Sequence, residues 1–354
     1  MGTTYNNNRK VYLDIIKVFA IVLVLFNHTG RKGFFYFTTC ETWLYPVSMF
    51  ISILDKIAVP LFFMVSGALL IPKEESYRSV MKRFLRYLSV LISATAISYL
   101  YICLKRSPHS ISIREYIVAL YADGIIIQYW YLYAYLAYTL MLPFIRKLAW
   151  EMTKKDFLWF LSMYSFAAIL TILDYTVFNG KYFHNENFSL FICMQYVFFP
   201  ITGYFLDAKL EKKYYTRKTA YILLSFGFFA IFLCAVLTHL HFKSSTIWDG
   251  NDPPFFGAMI YFPAIVAFFY AKRWSTDHKL GKRAEKMLAG ISGTTFGLYL
   301  FERIVRLETQ FIYEFMNTVI HPYLACWVWI IIACVIGGSA VFLVKQIPGI
   351  KKLI

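Results

Sequence analysis

The sequence has little charge and no motif built on cysteine. Only 16% of its 354 residues are charged, whereas 59% are hydrophobic and the mean hydropathy is +0.54. An average soluble domain has about 25% charged residues. The six cysteines are scattered singly, mostly in apolar runs: Cys40, Cys103, Cys193, Cys234, Cys326 and Cys334. The composition argues against a soluble protein, and the spacing argues against a disulfide framework or a metal site.

The chain also lacks internal repeats, low-complexity tracts and any shift in composition that would mark a second domain. We therefore predict one membrane domain over residues 1–354. The first ten residues are polar and lead directly into an apolar helix. No small-residue cleavage site follows that helix, so we interpret it as a retained first span and not as a signal peptide.

Apolar runs of membrane-crossing length recur along the whole chain. They predict an all-α, polytopic helical bundle with about ten transmembrane helices in a cell membrane. The predicted spans are 12–28, 48–71, 84–103, 127–145, 157–178, 188–206, 219–240, 254–271, 290–312 and 322–344.

The basic residues are distributed unevenly between the connections. Of the 36 lysines and arginines, 25 fall in alternate segments of the chain and seven in the segments between those. The rich segments are 9–10, 73–86, 146–155, 209–218, 272–286 and 345–352. Cytoplasmic loops of membrane proteins carry such an excess, so we predict that both termini are cytoplasmic. This asymmetry also explains most of the net charge of +16 without a nucleic-acid partner.

Three polar residues interrupt the first predicted span. Asp14 precedes Lys17 by three residues, and His28 follows Lys17 by eleven, which is close to three full helical turns. All three therefore share one face, with the charged pair and the imidazole roughly 16 Å apart along the axis. Ionisable residues within a span are functional candidates by default. The alternative is that Asp14 and Lys17 extend to the helix end and that His28 is interfacial.

Two further stretches carry polar residues, one at the start of the third predicted span and one within the second. Arg83 and Arg86 share one helical face where the third span begins, which suits recognition of phosphate or pyrophosphate. The alternative, of equal weight, is that they reflect only the basic bias of a cytoplasmic loop. Residues 59–70, VPLFFMVSGALL, contain a proline and a Ser-Gly pair that bend a helix or admit a close neighbour. Just before them, Asp55 and Lys56 lie within the predicted span, and either is a candidate to face a cavity.

The remaining candidates lie in two aromatic stretches. Residues 128–135, QYWYLYAY, include Gln128 and Trp130, which are candidates to line an acceptor site or, alternatively, an interfacial aromatic belt. Residues 291–303, ISGTTFGLYLFER, include Tyr299 and Glu302. Glu302 precedes Arg306 by four residues, so the two predict either a structural ion pair or part of a site.

In this order, these stretches resemble the membrane-bound acyltransferase-3 family, which includes enzymes that O-acylate bacterial surface polysaccharides. The family opens with an aspartate, an arginine and, eleven residues later, a histidine, and here Asp14, Lys17 and His28 hold those positions. The run at 59–70 is similar to its second-span signature, and Arg83 and Arg86 are similar to its paired arginines. The chain differs at two positions: Lys17 replaces the arginine, and Glu302 stands where the family usually has a histidine.

The resemblance implies an integral membrane O-acyltransferase that takes an acyl group, expected to be acetyl, from cytoplasmic acyl-CoA. The acceptor would be a hydroxyl of a cell-envelope polysaccharide or of its lipid-linked precursor. His28 would be the catalytic base, with Asp14 and Lys17 lining the donor channel and Arg83, Arg86 and Lys17 binding acyl-CoA. The acceptor would contact the four candidates Gln128, Trp130, Tyr299 and Glu302. No bound cofactor or metal is expected.

Other functions fit the same residues. Intramembrane charges and kinked helices also suit a transporter or flippase for a glycan, a lipid-linked sugar or a small polar solute. A scaffold in a polysaccharide-assembly complex is a third alternative, and for a scaffold His28 would be dispensable. Some acyltransferase-3 proteins carry an additional hydrolase-like domain, which we do not expect for this protein. It is therefore expected to act alone or with a separate partner of such an assembly system.

Overall fold

The computed structural model describes residues 9–40, 42–106, 111–122, 125–178, 195–244 and 255–349. Within those ranges the chain forms helices and no β-strand, which confirms the all-α prediction. The α-helices are α1 Val11–Asn27, α2 Leu44–Asp55, α3 Ala58–Leu70, α4 Tyr77–Arg106, α5 Ile113–Tyr121, α6 Trp130–Glu151, α7 Lys154–Val177, α8 Gln195–Tyr204, α9 Arg217–Ser244, α10 Tyr261–Asp277, α11 Lys282–Met316 and α12 Pro322–Val344.

The helices follow the predicted spans with two differences. The predicted span 48–71 is interrupted at Lys56 and Ile57 and forms α2 and α3. The cause is Pro60, which lacks an N–H and whose ring clashes with the carbonyl four residues earlier, at Lys56. In addition, α5 is a short helix within a predicted loop, where the side chain of Ser112 caps its first turn. Residues 188–194 of the sixth predicted span, together with Cys193, lie outside the described residues.

The surface of the bundle is suited to a bilayer. Within the described part of the chain, five helical stretches are long and apolar enough to cross a membrane: Leu44–Leu70, Tyr77–Lys105, Lys154–Val177, Arg217–Phe242 and Pro322–Val344. The mean hydropathy of the last two is 2.5. The outer face of α9 exposes a row of large apolar side chains that includes Phe226, Phe229 and Phe232. Such faces are stable only against lipid or another apolar surface. The chain is a multi-pass helical membrane protein, and its predicted number of ten spans stays a prediction.

The basic segments meet at one end of the bundle. The contacts that join them are Arg9 with Ala289, Lys10 with Asp207, Glu75 with Arg146, Lys209 with Trp150, and Lys345 with Gly293. At the opposite end, Tyr45 contacts His239 and Tyr101 contacts Glu308. The segments that are rich in lysine and arginine therefore lie at one end of the bundle, and segments between them lie at the other. That the basic end faces the cytoplasm stays a prediction.

Helix α1 lies inside the bundle and packs against α2, α3, α10, α11 and α12. The close crossing of α3 and α8 helps to set the position of the helices around α1. A Cβ atom at Gly67 would lie 1.9 Å from the carbonyl oxygen of Pro200, and one at Gly203 would lie 2.1 Å from that of Met64. Only glycine permits such contact between backbones, so these two residues fix how near α3 and α8 approach.

Candidate active site

The sequence places His28 at the end of α1, where the chain changes direction. Its backbone N–H donates to the carbonyl of Leu25 as the helix closes. Gly30 then adopts a positive φ of 60°, which other L-residues adopt at a steric cost. The hydroxyl of Thr29 accepts a hydrogen bond from the N–H of Phe34 at 2.9 Å and stabilises the turn. The imidazole is thus attached to a rigid corner of the backbone.

Two charged residues of α11 hold His28 in place. The Nδ1 atom of His28 lies 3.1 Å from Oε1 of Glu302. The other carboxylate oxygen of Glu302 accepts a hydrogen bond from Nε of Arg306 at 2.6 Å, and Nη1 of Arg306 donates to the carbonyl of His28 at 2.6 Å. The three residues therefore form a closed arrangement, in which Arg306 binds the backbone of His28 and the carboxylate of Glu302 lies beside its ring.

This arrangement decides which ring nitrogen is available for chemistry. A carboxylate beside Nδ1 favours a proton on that nitrogen, which leaves the lone pair on Nε2. The same carboxylate stabilises the imidazolium that forms when Nε2 accepts a proton. Glu302 is only 1% exposed, so water screens this interaction little. Such a pair of residues is typical of a general base with an orienting partner.

The other half of the polar face of α1 is also connected to α11. Asp14 accepts hydrogen bonds from Lys17 at 3.0 Å, from Ser292 at 2.6 Å and from Arg9 at 2.6 Å. Both predicted groups on α1 thus lie beside α11, Asp14 near its beginning and His28 further along it. Paired in this way, the Asp14 carboxylate and the Lys17 ammonium are tolerated within the bundle.

A cavity of about 710 Å³ runs along α1 between these two groups. Lys17 lines it near the basic end, and Asn27 and His28 line it near the opposite end. Its middle is bounded by apolar and aromatic side chains of α1, α3, α6 and α11, among them Val24, Val65 and Tyr131. A volume of this size is in the range of sites for small molecules and cofactors.

Three of the predicted acceptor residues line this cavity. Gln128, Trp130 and Tyr299 are in its wall, and the hydroxyl of Tyr299 donates to the backbone carbonyl of Gln128 at 2.7 Å. Within the described part of the chain, the buried side-chain oxygen of Gln128 has no hydrogen-bond partner. Trp130 is 41% exposed, which leaves its ring accessible. Glu302 is not among the lining residues, because it lies behind His28.

The predicted donor-binding arginines lie elsewhere. Arg83 forms two hydrogen bonds to the carboxylate of Glu75, at 2.7 and 2.5 Å, and Arg146 donates to the same carboxylate at 2.8 Å. Hydrogen bonding from Arg83, with support from Arg146, lowers the pKa of Glu75 to about 2. Arg86 is exposed on α4, over the ring of Tyr87. Arg83 and Arg86 are not among the residues that line this cavity, and their role in acyl-CoA binding stays a prediction.

The structure adds residues whose part in a site the sequence did not specify. Asp55 and Lys56, at the break between α2 and α3, both line the cavity, and Asp55 accepts a hydrogen bond from Asn27 at 2.9 Å. An intramembrane Asp-Lys pair before a proline was the available signal. Gln195 and Phe256 line the same end, and nothing in their local sequence marks them. Among the described residues no group of three or more metal-ligating side chains is placed to hold an ion.

The fold and the site define a multi-pass helical membrane protein with a histidine–carboxylate pair at a cavity. The sequence model of a family described as an acyltransferase domain, the acyltransferase-3 family, matches residues 10–344. The chain belongs to this family and is an acyltransferase that transfers groups other than amino-acyl groups. No curated protein and no solved structure matches it.

Proposed function

We propose that this acyltransferase moves an acyl group, expected to be acetyl, from acyl-CoA to a hydroxyl of a cell-envelope glycan or of its lipid-linked precursor. The cavity carries this proposal, because one continuous space reaches from Lys17, near the basic end, to His28, near the opposite end. A donor entering from one side of the membrane and an acceptor arriving from the other would meet beside the imidazole.

The chemistry assigned to His28 is general base catalysis. Nε2 removes the proton from the acceptor hydroxyl as its oxygen attacks the thioester carbonyl. The carbon–sulfur bond then breaks, and the imidazolium returns the proton to the departing thiolate. The products are an ester and free CoA, so atoms and charge balance. Glu302 acts as a positioning residue, because it stabilises the imidazolium and directs Nε2 away from itself.

The remaining cavity residues divide between the two substrates. Trp130, Gln128 and Tyr299 contact the acceptor in this proposal, with Asp55 and Asn27 beside them at the same end. Lys17 marks the donor side of the cavity. The aromatic middle of the cavity would exclude water from the thioester, which limits wasteful hydrolysis.

The direct test uses purified protein in lipid nanodiscs with acetyl-CoA labelled in the acetyl group. Envelope glycans or lipid-linked saccharides are added, and mass spectrometry measures a fixed mass gain per sugar. We expect transfer by the wild-type protein and a loss on the order of a hundredfold or more in His28→Ala. The surface variant Lys155→Ala, at the basic end, is the matched control.

Two outcomes would overturn the proposal. Wild-type transfer by His28→Ala would remove the histidine from the mechanism. In proteoliposomes, which separate two compartments as nanodiscs do not, movement of a labelled glycan across the bilayer without any mass gain would instead favour the transport alternative. A mass gain other than that of acetyl would keep the reaction and replace the expected acyl group.

A further inference from the structure

A second, smaller cavity adjoins the first at the basic end of the bundle. It has a volume of about 290 Å³, and its lining residues are Arg9, Lys10, Leu13, Asp14, Lys17 and Leu69. Lys17 and Leu69 also line the large cavity, so the two spaces share a wall. We call this smaller space the vestibule. A molecule that fills both would reach from the surface at Arg9 to the imidazole of His28.

The vestibule is rich in positive charge. Arg9 and Lys17 both bind the carboxylate of Asp14, at 2.6 and 3.0 Å. Lys10 binds Asp207, and Lys272 lies 3.9 Å from the same carboxylate. Three cationic side chains, those of Arg9, Lys10 and Lys17, therefore line the vestibule beside one lining carboxylate, that of Asp14. Such a lining favours an anionic ligand.

Backbone geometry adds to this preference. The vestibule lies at the N-terminus of α1, a helix of 17 residues whose N-cap residue, Lys10, makes no side-chain cap. A helix N-terminus carries a partial positive charge and N–H groups that attract phosphate. Arg9 and Lys10 directly precede this helix, and their side chains remain about half exposed, at 48% and 41%. They are accessible to a ligand, whereas Asp14 is buried between them and α11.

We propose that the vestibule binds the phosphate-bearing end of the acyl donor, with Arg9 and Lys10 as the contact residues. This inference rests on the proposed function, since it assumes a donor with phosphates at one end and a thioester at the other. Lys17 then stands at the passage through which the acyl-bearing arm enters the large cavity. The roughly 16 Å from Lys17 to His28 is the distance that this arm must cover.

The location explains how a donor binds without Arg83. The guanidinium of Arg83 is occupied by both oxygens of Glu75, and moving it to a phosphate would leave that carboxylate with Arg146 alone. Arg9 also contacts both oxygens of its carboxylate, that of Asp14, at 2.6 and 3.0 Å. Its side chain is 48% exposed, however, against 18% for Arg83, and Asp14 keeps Lys17 and Ser292 as partners when Arg9 turns to a phosphate. Binding of a phosphate would therefore exchange one partner of Arg9 for another.

The experiment compares two thioesters in nanodiscs of zwitterionic lipid, which removes anionic headgroups as a competing source of phosphate. Acetyl-CoA carries phosphates, and acetyl-pantetheine has the same arm without them. In the variant Arg9→Gln plus Lys10→Gln we expect KM for acetyl-CoA to rise about tenfold or more, because charged hydrogen bonds are lost. We expect KM for acetyl-pantetheine and both kcat values to stay near wild type.

Matched controls test the specificity of this result. Lys147→Gln plus Lys155→Gln removes the same charge from exposed positions of the same end, and both KM values should stay unchanged. Arg86→Gln tests the predicted site on α4. The proposal fails if the vestibule variant leaves KM for acetyl-CoA unchanged or raises both KM values equally. It also fails if KM for acetyl-CoA rises in Arg86→Gln alone.

Calorimetric binding of CoA separates this proposal from the proposed function. If no acyl transfer is found but CoA binds and the vestibule variant weakens that binding about tenfold, the vestibule site stands and the reaction does not. If the protein transfers the acyl group but the variant binds CoA with unaltered affinity, the reaction stands and the vestibule site does not. Adding anionic lipid to the nanodiscs and finding that it displaces CoA from the wild type, but not from the variant, would identify headgroups as competitors.

Discussion

The Nδ1 atom of His28 lies 3.1 Å from the Oε1 atom of Glu302, a carboxylate that is almost completely buried. Arg306 binds both the carboxylate and the backbone carbonyl of His28. Arg306 thus binds the backbone of His28, while the carboxylate of Glu302 lies beside Nδ1 of its ring and not beside Nε2. The geometry thereby gives Glu302 a positioning role, beside its predicted role in acceptor binding.

The first prediction concerns the charge of Glu302. Glu302→Gln keeps the size of the side chain and removes its charge, so the imidazolium that forms in the transition state loses its counter-charge. We expect kcat to fall on the order of tenfold or more with little change in either KM. Glu302→Asp should recover part of the rate. Steady-state acyl-transfer kinetics measure both, and a wild-type kcat in Glu302→Gln would contradict the role.

The second prediction concerns Arg306 and stability. Arg306→Met leaves the buried carboxylate of Glu302 with His28 as its remaining partner, and we expect the free energy of unfolding to fall by about 3–5 kcal/mol. The double variant Glu302→Leu plus Arg306→Met removes both charges and should recover most of this loss while staying inactive. Thermal unfolding in detergent micelles gives the comparison. A single variant as stable as wild type would show that Arg306 is not needed to balance Glu302.

The third prediction concerns the stability of the fold at acidic pH. Glu75 lies in the connection between α3 and α4, and hydrogen bonds from Arg83 and Arg146 lower its pKa from 4.5 to about 2. Since the folded pKa is the lower one, its stabilising effect is complete above about pH 4.5 and is lost as the pH falls toward 2. We expect Glu75→Gln to be less stable than wild type at pH 6, and the difference to shrink below pH 4.5. Unfolding curves against pH test this, and a constant difference would refute it.

The fourth prediction concerns the crossing of α3 and α8. Gly203→Ala places a Cβ atom 2.1 Å from the carbonyl oxygen of Met64, so the helices must separate. We expect a loss of roughly 1–3 kcal/mol or more, as for other overpacked sites. Gly290→Ala is the control, because it lies within α11 with no atom near its added Cβ, and it should be neutral or stabilising. Equal melting temperatures for the two variants would contradict the close crossing.

Much of the fold was predictable because its signals are local. Apolar runs of membrane length predicted the helices. The alternation of basic segments predicted that these segments lie at one end of the bundle, and in the structure they contact one another there. Pro60 shows what the local sequence could and could not predict. The proline predicts a bend, and its clash with the carbonyl of Lys56 accounts for the interruption of the helix there. That the break places Asp55 on the cavity follows only from how α2 and α3 pack.

The candidate site divides in the same way. The spacing of Asp14, Lys17 and His28 on one helix determined that they share a face, because helical periodicity fixes relative direction along α1. Which partners meet that face depends on the rotation and depth of neighbouring helices, and these follow from contacts such as Gly67 with Pro200. Only the tertiary structure therefore brought Glu302 to His28, committed Arg83 to Glu75, and joined the vestibule at Arg9 to the cavity.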